Sequence, residues 1–210
     1  MAAGKIKRIL PVTTKIDKEG KISIGGSDLH QLAADFGTPL YIYDAETIRQ
    51  NIRTLQEALA ENYPASKSVA YASKAYLSLQ FARRIVNEPI DLDVVSLGEM
   101  IIARKARFDP ERVHFHGNNK SDNELKAAIE WGTHTIVIDS LEELAIVEQM
   151  AKDAGKKVRI WLRITPDIHV ETHPYIETSA KESKFGLHIS DGEARQGIET
   201  AMRSDWLDLV

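Results

Sequence analysis

Short β-prone segments recur along this chain at nearly constant spacing, and that spacing constrains the fold more than any other feature. The segments begin near Ser68, Leu92, Val113, Thr135 and Val158, which places them about 21 to 24 residues apart. The stretches between them carry apolar residues at helical spacing. Strands that alternate with helices at this pitch predict a parallel sheet.

The helix starts of these units carry a second repeated signal, the capping box. It occurs at Ser96 and Glu99, at Ser121 and Glu124, at Ser140 and Glu143, and at Ser190 and Glu193. In this motif the serine hydroxyl accepts a hydrogen bond from the amide three residues later, and the glutamate accepts one from the amide of the cap. The first three boxes follow predicted strands directly, which supports the assignment of alternating strands and helices.

Two closures of the sheet are compatible with such units, an open doubly wound sheet and a (β/α)8 barrel. No Gly-rich turn follows the strands, and this favours the barrel. Five strands are complete by Ile164 and a sixth is predicted near Leu207, whereas a barrel needs eight. The predicted fold is therefore an α/β barrel that is incomplete within these 210 residues.

The residues that precede the repeats are polar and contain several glycines. Ile22 to Gly26 predicts a short strand and turn, and Ser27 to Phe36 predicts a short helix. Leu40 to Tyr43 predicts another strand. Asp44 is then predicted to cap a helix from Ala45 to about Asn62.

Composition excludes several classes of protein. The net charge of -4 gives no reason to expect nucleic acid or an anionic membrane as a partner. The sequence has no apolar run of membrane-spanning length, and its N-terminus lacks an apolar signal core. The absence of cysteine excludes disulfides and thiolate metal sites. It is also consistent with the cytoplasmic location that we predict.

The segment Tyr71-Ala72-Ser73-Lys74-Ala75 places a lysine at the carboxyl end of the first predicted barrel strand, a buried run from Ser68 to Ala72. α/β folds build their active sites at that edge of the sheet. A lysine amine held there can act as a Schiff-base nucleophile, for which it must be neutral. Most strand-end lysines are simply solvated, so the assignment depends on the surrounding sequence.

Three other polar residues lie in or at the ends of predicted strands. Asp93 interrupts an apolar run, where a carboxylate needs a partner. His116 faces opposite to Phe115, and Arg163 ends the strand that begins at Val158. Each also has a structural alternative: an interstrand salt bridge for Asp93, a strand cap for His116 and a solvated strand end for Arg163.

Seven segments carry a resemblance to a known family. They are FGTPLYIYD from Phe36, YASKA from Tyr71, LDVVSLGE from Leu92, FHGNNKS from Phe115, LRITP from Leu162, THPYIET from Thr172 and SKFG from Ser183. Together they resemble the diaminopimelate decarboxylases, which are members of the alanine-racemase-like barrel family that uses pyridoxal phosphate. Asn119-Lys120 and the segment from Thr172 point to this branch over the ornithine and arginine decarboxylases.

The resemblance implies that Lys74 holds pyridoxal phosphate and that Asp93, His116 and Arg163 lie near it. Ser96 is included as a weaker cofactor-binding candidate, because its capping role is already sufficient to explain it. Residues 1–39 would belong to a β-rich second domain, and residues 40–210 to the partial barrel that binds the cofactor. The implied reaction is decarboxylation of meso-2,6-diaminopimelate to L-lysine and CO2, in a protein that forms a homodimer at full length.

In the resembling family, a cofactor-stacking histidine, a Gly-rich phosphate loop, a glutamate for the pyridine nitrogen and a substrate cysteine follow the point that corresponds to Val210. We therefore expect an N-terminal portion with little activity alone. One alternative is decarboxylation of ornithine, arginine or carboxynorspermidine, and another is a non-catalytic single-barrel protein that binds pyridoxal phosphate. His169, Glu171 and His173 lie in a polar stretch but do not match a metal-ligand pattern, and no metal is predicted.

Overall fold

The computed structural model describes residues 9–166 and 185–210. They form two compact units, one that ends at Val69 and one that runs from Ala70 to Val210. The predicted assignment of residues 1–39 to a β-rich second domain and of residues 40–210 to the barrel stays a prediction, because the second domain would need further residues to be complete. In the described part of the chain, no helix is both long and apolar enough to cross a bilayer.

The first unit contains a three-stranded antiparallel sheet of β1 (Lys15–Ile16), β2 (Ile22–Ile24) and β3 (Ser27–Asp28), followed by α1 (Leu29–Phe36) and α2 (Ala45–Asn62). The predicted strand and turn at Ile22 to Gly26 is confirmed. Gly25 and Gly26 both have positive φ, as a two-residue hairpin loop requires. The predicted cap is also confirmed, because the Asp44 carboxylate accepts a hydrogen bond from the Thr47 amide at 3.0 Å.

The strand predicted at Leu40 to Tyr43 is wrong. These four residues belong to no helix or strand, and their side chains are exposed, Tyr41 by 88%. The apolar, β-prone composition predicted a strand, but a strand also needs a hydrogen-bonding neighbour. No strand of the described residues pairs with this segment.

The second unit is a parallel sheet with helices between its strands. The strands are β4 (Ala70–Ala72), β5 (Asp91–Val94), β6 (Val113–Phe115), β7 (Thr135–Ile138) and β8 (Val158–Leu162), then the short pair β9 (Ile164–Thr165) and β10 (Leu187–His188), and finally β11 (Leu207–Leu209). The helices are α3 (Leu79–Ile85), α4 (Leu97–Lys105), α5 (Asp122–Trp131), α6 (Leu141–Asp153) and α7 (Glu193–Arg203). Two short 3-10 helices lie at Ser73–Ala75 and Pro110–Arg112.

The order of the main sheet distinguishes the two predicted closures. Its described strands run β4-β5-β6-β7-β8-β11, so that each strand lies beside the next one in the chain. All five pairings are parallel. A doubly wound sheet reverses its strand order partway, whereas a barrel does not. The fold is therefore the predicted incomplete (β/α)8 barrel.

All six predicted barrel strands are present, but the first is shorter and less buried than predicted. β4 begins at Ala70 rather than Ser68, and its residues are exposed or half-buried. The reason is its place in the sheet, because in the described residues β4 is an edge strand that pairs only with β5. The parallel pair β9 and β10 was not predicted, since each of its strands is only two residues long.

Side chains alternate along the strands between an apolar face and a polar face. Leu92, Val94, Phe115 and Ile160 are fully buried on the first. The other face carries the polar and aromatic residues Asp91, Asp93, His114, Thr135, Arg159 and Trp161. Because the register pairs Leu92 with Val113 and Val94 with Phe115, the alternation stays in phase from strand to strand. The polar face is thereby concentrated on one side of the sheet.

The predicted serine caps are confirmed at three helices and wrong at the fourth. Of these three, α5 has the complete capping box. At α4 and α6 the carboxylates of Glu99 and Glu143 accept from the Val95 and Asp139 amides, one residue before each cap. Ser96, Ser121 and Ser140 cap α4, α5 and α6. Ser190 does not cap α7, which begins at Glu193 after Gly192. Gly192 has a φ of 85°, and this left-handed turn, which favours glycine, brings the chain into the helix two residues later than predicted.

Glu99, Glu124 and Glu143, which we call the capping glutamates, each bind the preceding unit as well as the start of their own helix. These contacts join Glu99 Oε2 to Ser73 Oγ at 2.6 Å, Glu124 Oε1 to the Leu97 amide at 2.9 Å and Glu143 Oε1 to Lys120 Nζ at 2.6 Å. Hydrogen bonds therefore connect successive β/α units at the carboxyl ends of the strands.

Candidate active site at the carboxyl ends of the strands

A cavity of about 830 Å³ opens at the carboxyl ends of the parallel strands. Four of the predicted site residues line it together: Lys74, Asp93, His116 and Arg163. They come from four different strand ends, those of β4, β5, β6 and β8. Ser96 is not among the lining residues. Its hydroxyl caps α4 by accepting a hydrogen bond from the Glu99 amide at 3.3 Å.

Lys74 lies in the short 3-10 helix that follows β4. Its neighbour Ser73 is only 1% exposed, and the Ser73 hydroxyl donates to Glu99 Oε2 at 2.6 Å. This bond fixes the turn from which Lys74 projects. Lys74 itself is exposed, because it follows the edge strand of the sheet. Ser73 was not predicted as part of the site, and its adjacency to the lysine was the available signal.

Asp93 and His116 form a pair in the lining of the cavity that also contains Lys74. His116 Nε2 lies 3.5 Å from Asp93 Oδ1. Burial lowers the pKa of His116 below its ordinary value, and the nearby cations Lys120 and Arg163 act in the same direction, whereas Asp93 opposes them. His116 is therefore held predominantly neutral at pH 7, and it offers a ring nitrogen that can accept or donate a hydrogen bond.

Arg163 is held by a carboxylate that sequence reasoning missed. Its Nη1 donates to Asp139 Oδ1 at 3.0 Å, and Asp139 is only 6% exposed. The other oxygen of Asp139 accepts from the Gly186 amide at 3.3 Å. The missed signal was an acidic residue directly after the apolar end of β7, which is similar to the apolar setting that identified Asp93.

The ring of Phe185 packs beneath the Arg163 guanidinium, 4.5 Å from its central carbon. The next residue, Gly186, has a φ of 74°, and a Cβ built there would lie 2.8 Å from Thr165 Oγ1 and 2.9 Å from the Arg163 carbonyl oxygen. Only glycine permits this close approach. The chain at Phe185 and Gly186 therefore closes one side of the cavity against Arg163.

Trp161 forms part of the cavity lining and is supported by a buried histidine. The rings of His114 and Trp161 stack with centroids 4.6 Å apart and planes 18° apart. His114 is 2% exposed, and its ring nitrogens lie 2.6 Å from Thr135 Oγ1 and 3.3 Å from Asp91 Oδ2. The His114 ring is thus fixed at both of its nitrogens, and its stacking holds the plane of the Trp161 indole.

The polar loop after β6 divides between the cavity and the protein interior. Gly117 and Asn118 line the cavity, and Asn119 is exposed. Lys120 turns inward instead, and its side chain is only 1% exposed. His169, Glu171 and His173 lie outside the described residues. Within residues 9–166 and 185–210, no cluster of three acidic or imidazole side chains is arranged to bind a metal ion.

Comparison with known proteins identifies the family. Residues 46–210 match the model of the pyridoxal binding domain of pyridoxal-dependent decarboxylases. The diaminopimelate decarboxylase of Bacillus subtilis (strain 168) is 39% identical over 198 residues, which are 94% of this chain and 45% of that protein. The diaminopimelate decarboxylase of Mycobacterium tuberculosis (strain H37Rv) is 37% identical over 202 residues, covering 96% and 44%.

The solved structures include similar folds. The crystal structure of diaminopimelate decarboxylase from M. jannaschii in co-complex with L-lysine matches with a TM-score of 0.83 at 32% identity, covering 95% of this chain and 46% of that chain. The present chain therefore spans slightly less than half the length of the relatives that it matches.

The cavity residues fit pyridoxal phosphate on their own chemistry. The cofactor needs a primary amine for attachment and groups that orient its ring. Lys74 supplies the amine, Arg163 a cation, the Asp93–His116 pair a hydrogen-bonding edge and Trp161 a flat surface. The matched domain, the sequential parallel sheet and the cavity at its carboxyl edge agree with one another. The chain belongs to the pyridoxal-dependent decarboxylase family.

Proposed function

We propose that this chain supplies the lysine-bearing half of the active site of a decarboxylase that converts meso-2,6-diaminopimelate to L-lysine and CO2. The observation that carries the proposal is the convergence of Lys74, Asp93, His116 and Arg163 on one cavity within a pyridoxal-binding domain. The choice of substrate is supported by relatives of 36–39% identity named diaminopimelate decarboxylase and by the similar structure with L-lysine.

Each residue has a defined task in this proposal. Lys74 attaches the cofactor through its amine. When bound, pyridoxal phosphate supplies the electron sink for the negative charge that remains at the α-carbon after CO2 leaves. Arg163, fixed by Asp139, places a permanent positive charge beside the ring. Trp161 lines the cavity with a flat aromatic surface, and His116 stays available as a neutral hydrogen-bonding group.

Covalent labelling tests the cofactor assignment. We expect pyridoxal phosphate followed by borohydride to label Lys74 stoichiometrically, because Lys74 is the lysine that lines the cavity among the described residues. Peptide mapping by mass spectrometry locates the label. Lys74→Ala should abolish it, whereas Lys126→Ala, which removes an exposed lysine on α5, should leave it unchanged. Label scattered over surface lysines would contradict the proposed site.

Carbon dioxide release tests the reaction. In a chain of the relatives' full length that contains these residues, we expect release from meso-diaminopimelate and little from ornithine or arginine. The 210-residue chain alone should show little activity. Preferential release from ornithine or arginine would favour the related decarboxylases. Stoichiometric labelling of Lys74 without release from any of these amino acids would favour a non-catalytic pyridoxal-phosphate-binding protein.

We further propose a homodimer in the cytoplasm. The dimer is supported by the resemblance to a family whose sites lie at subunit boundaries. The location is supported by the absence of cysteine from a biosynthetic type of enzyme. Light scattering coupled to size-exclusion chromatography measures the mass directly, and a monomeric mass at full length would refute the dimer.

A further inference from the structure

Lys120 is a buried cation close to the cavity but not part of its lining. Its ammonium group donates to the Gly117 carbonyl at 2.7 Å, the Val137 carbonyl at 2.6 Å and Glu143 Oε1 at 2.6 Å. An ammonium has three protons, and all three find acceptors here. The group therefore ties together the loop after β6, the end of β7 and the start of α6.

Glu143 continues this connection towards Arg163. Its second oxygen accepts from the Asp139 amide at 2.7 Å, and the Asp139 carboxylate in turn binds Arg163 and the Gly186 amide. A series of hydrogen bonds thus links the loop beside His116 to the Arg163 guanidinium. We call the pair Lys120 and Glu143 the buried ion pair.

Stability alone is a weak reason for such a pair. Removing two charges from water is costly, and buried ion pairs can often be replaced by neutral side chains without loss of stability. In contrast, an ion pair with fixed acceptors specifies geometry, because each bond constrains direction as well as distance. Both members of the buried ion pair connect to cavity residues. Lys120 binds Gly117, which follows His116, and Glu143 binds Asp139, which holds Arg163.

We propose that Lys120 and Glu143 are positioning residues of the cofactor site, which together fix the His116–Gly117 loop and the Arg163 guanidinium in one arrangement. The inference rests on the proposed function for the identity of the cofactor. Neither residue contacts the cavity, so their effect on binding is transmitted through the groups that they hold.

The test replaces the buried ion pair by a neutral pair of similar size, in the double variant Lys120→Met/Glu143→Gln. Glutamine keeps an oxygen that can accept from the Asp139 amide, and no charge is left without a partner. The matched control, Lys126→Met/Glu130→Gln, makes the same changes in an exposed pair on α5 whose charges are 4.0 Å apart. Thermal unfolding and the dissociation constant for pyridoxal phosphate are measured for both.

We expect the double variant to melt within a few degrees of the unmodified protein but to bind pyridoxal phosphate about tenfold or more weakly, as the loss of supporting contacts around a site typically does. The control should change neither quantity appreciably. If affinity is unchanged in the double variant, or falls only in proportion to a large loss of stability, the pair is structural and the proposal is overturned.

A readout without cofactor separates this proposal from the proposed function. The side-chain NMR signals of Arg163, assigned with an Arg163→Lys variant, report its bond to Asp139 directly. In the double variant these signals should shift and exchange faster, whereas the control should leave them in place. If the unmodified protein fails to bind pyridoxal phosphate, the proposed function fails. The Arg163 signals still decide whether the buried ion pair positions the guanidinium.

Discussion

The surroundings of His116 predict the direction of its pKa shift clearly. Asp93 lies 3.5 Å from its ring, and the charges of Lys120 and Arg163 and the ring of His114 also act on it. Burial makes the largest contribution, and it favours the neutral form. The balance lowers the pKa of His116 below the value of about 6.5 that an unfolded chain would show.

This shift predicts a defined pH dependence. Between the folded pKa of His116 and about 6.5, the unfolded chain binds more protons, so the free energy of unfolding decreases as the pH falls through that window. Above about 6.5 the penalty is absent. His116→Gln should remove it. Urea unfolding at several pH values measures the free energy of unfolding of both proteins. At low pH the two values should converge, or the variant should become the more stable of the two. A parallel pair of curves would contradict the lowered pKa, which NMR titration of the ring measures directly.

Gly186 predicts a second effect at the scale of one residue. Gly186→Ala adds both the strain of a left-handed backbone and a methyl group within 3 Å of Thr165 and Arg163. Gly132→Ala adds the same kind of strain, with a φ of 78°, but no atom lies within 4 Å of its new methyl group. We expect Gly186→Ala to be the more destabilising by about 1–3 kcal/mol in urea unfolding. Equal losses would show that the loop can move away from Arg163.

At the scale of helices and strands, side chains of the same helix are buried in the core to very different extents. Along α6, Leu144 is 1% exposed, whereas Ile146 is 41% exposed two residues later. A helix presents one face to the sheet, so residues two apart point in different directions. The burial therefore follows the apolar spacing that predicted the helix.

Truncation of these two side chains tests the assignment within one helix. Leu144→Ala should lower the free energy of unfolding by about 2–5 kcal/mol, because it opens a cavity in the core. Ile146→Ala should lower it by about 1 kcal/mol or less, since much of that side chain already contacts water. Urea denaturation measures both. A larger loss at Ile146 would place the buried face of α6 on the other side.

The elements that the sequence predicts well are those whose signals are local. Serine caps, apolar spacing and strand-end polar residues lie within a few positions of one another. Local position made Lys74, Asp93, His116 and Arg163 candidates, and the family resemblance assigned them to the site. The errors arise where a neighbour distant in the chain decides the outcome. Leu40 to Tyr43 lacks a pairing strand in the described residues, and Asp139 is recognised as a site residue only once Arg163 is seen beside it.

At the scale of the whole molecule, the 21- to 24-residue rhythm predicted the parallel sheet, and the sequential strand order confirmed the incomplete barrel. What the sequence could not reveal is the set of contacts across strands, which depends on register. The backbone pairing of Asp93 with His114 sets the diagonal contact of Asp93 with His116. Neither the Asp93 nor the His116 position in the sequence indicates this partner. The same holds for the stack of Trp161 on His114.

The capping glutamates have a consequence for how such a molecule forms during synthesis. Each joins groups only 23 to 27 positions apart in the chain, and closing such short loops has a small entropic cost. As each new unit leaves the ribosome, its capping glutamate can therefore form a hydrogen bond with the preceding unit at the carboxyl ends of the strands. The bond between Ser73, the neighbour of Lys74, and Glu99 can form before the strand that carries Arg163 has been made, so the lining of the cavity can be assembled progressively from its amino-terminal end.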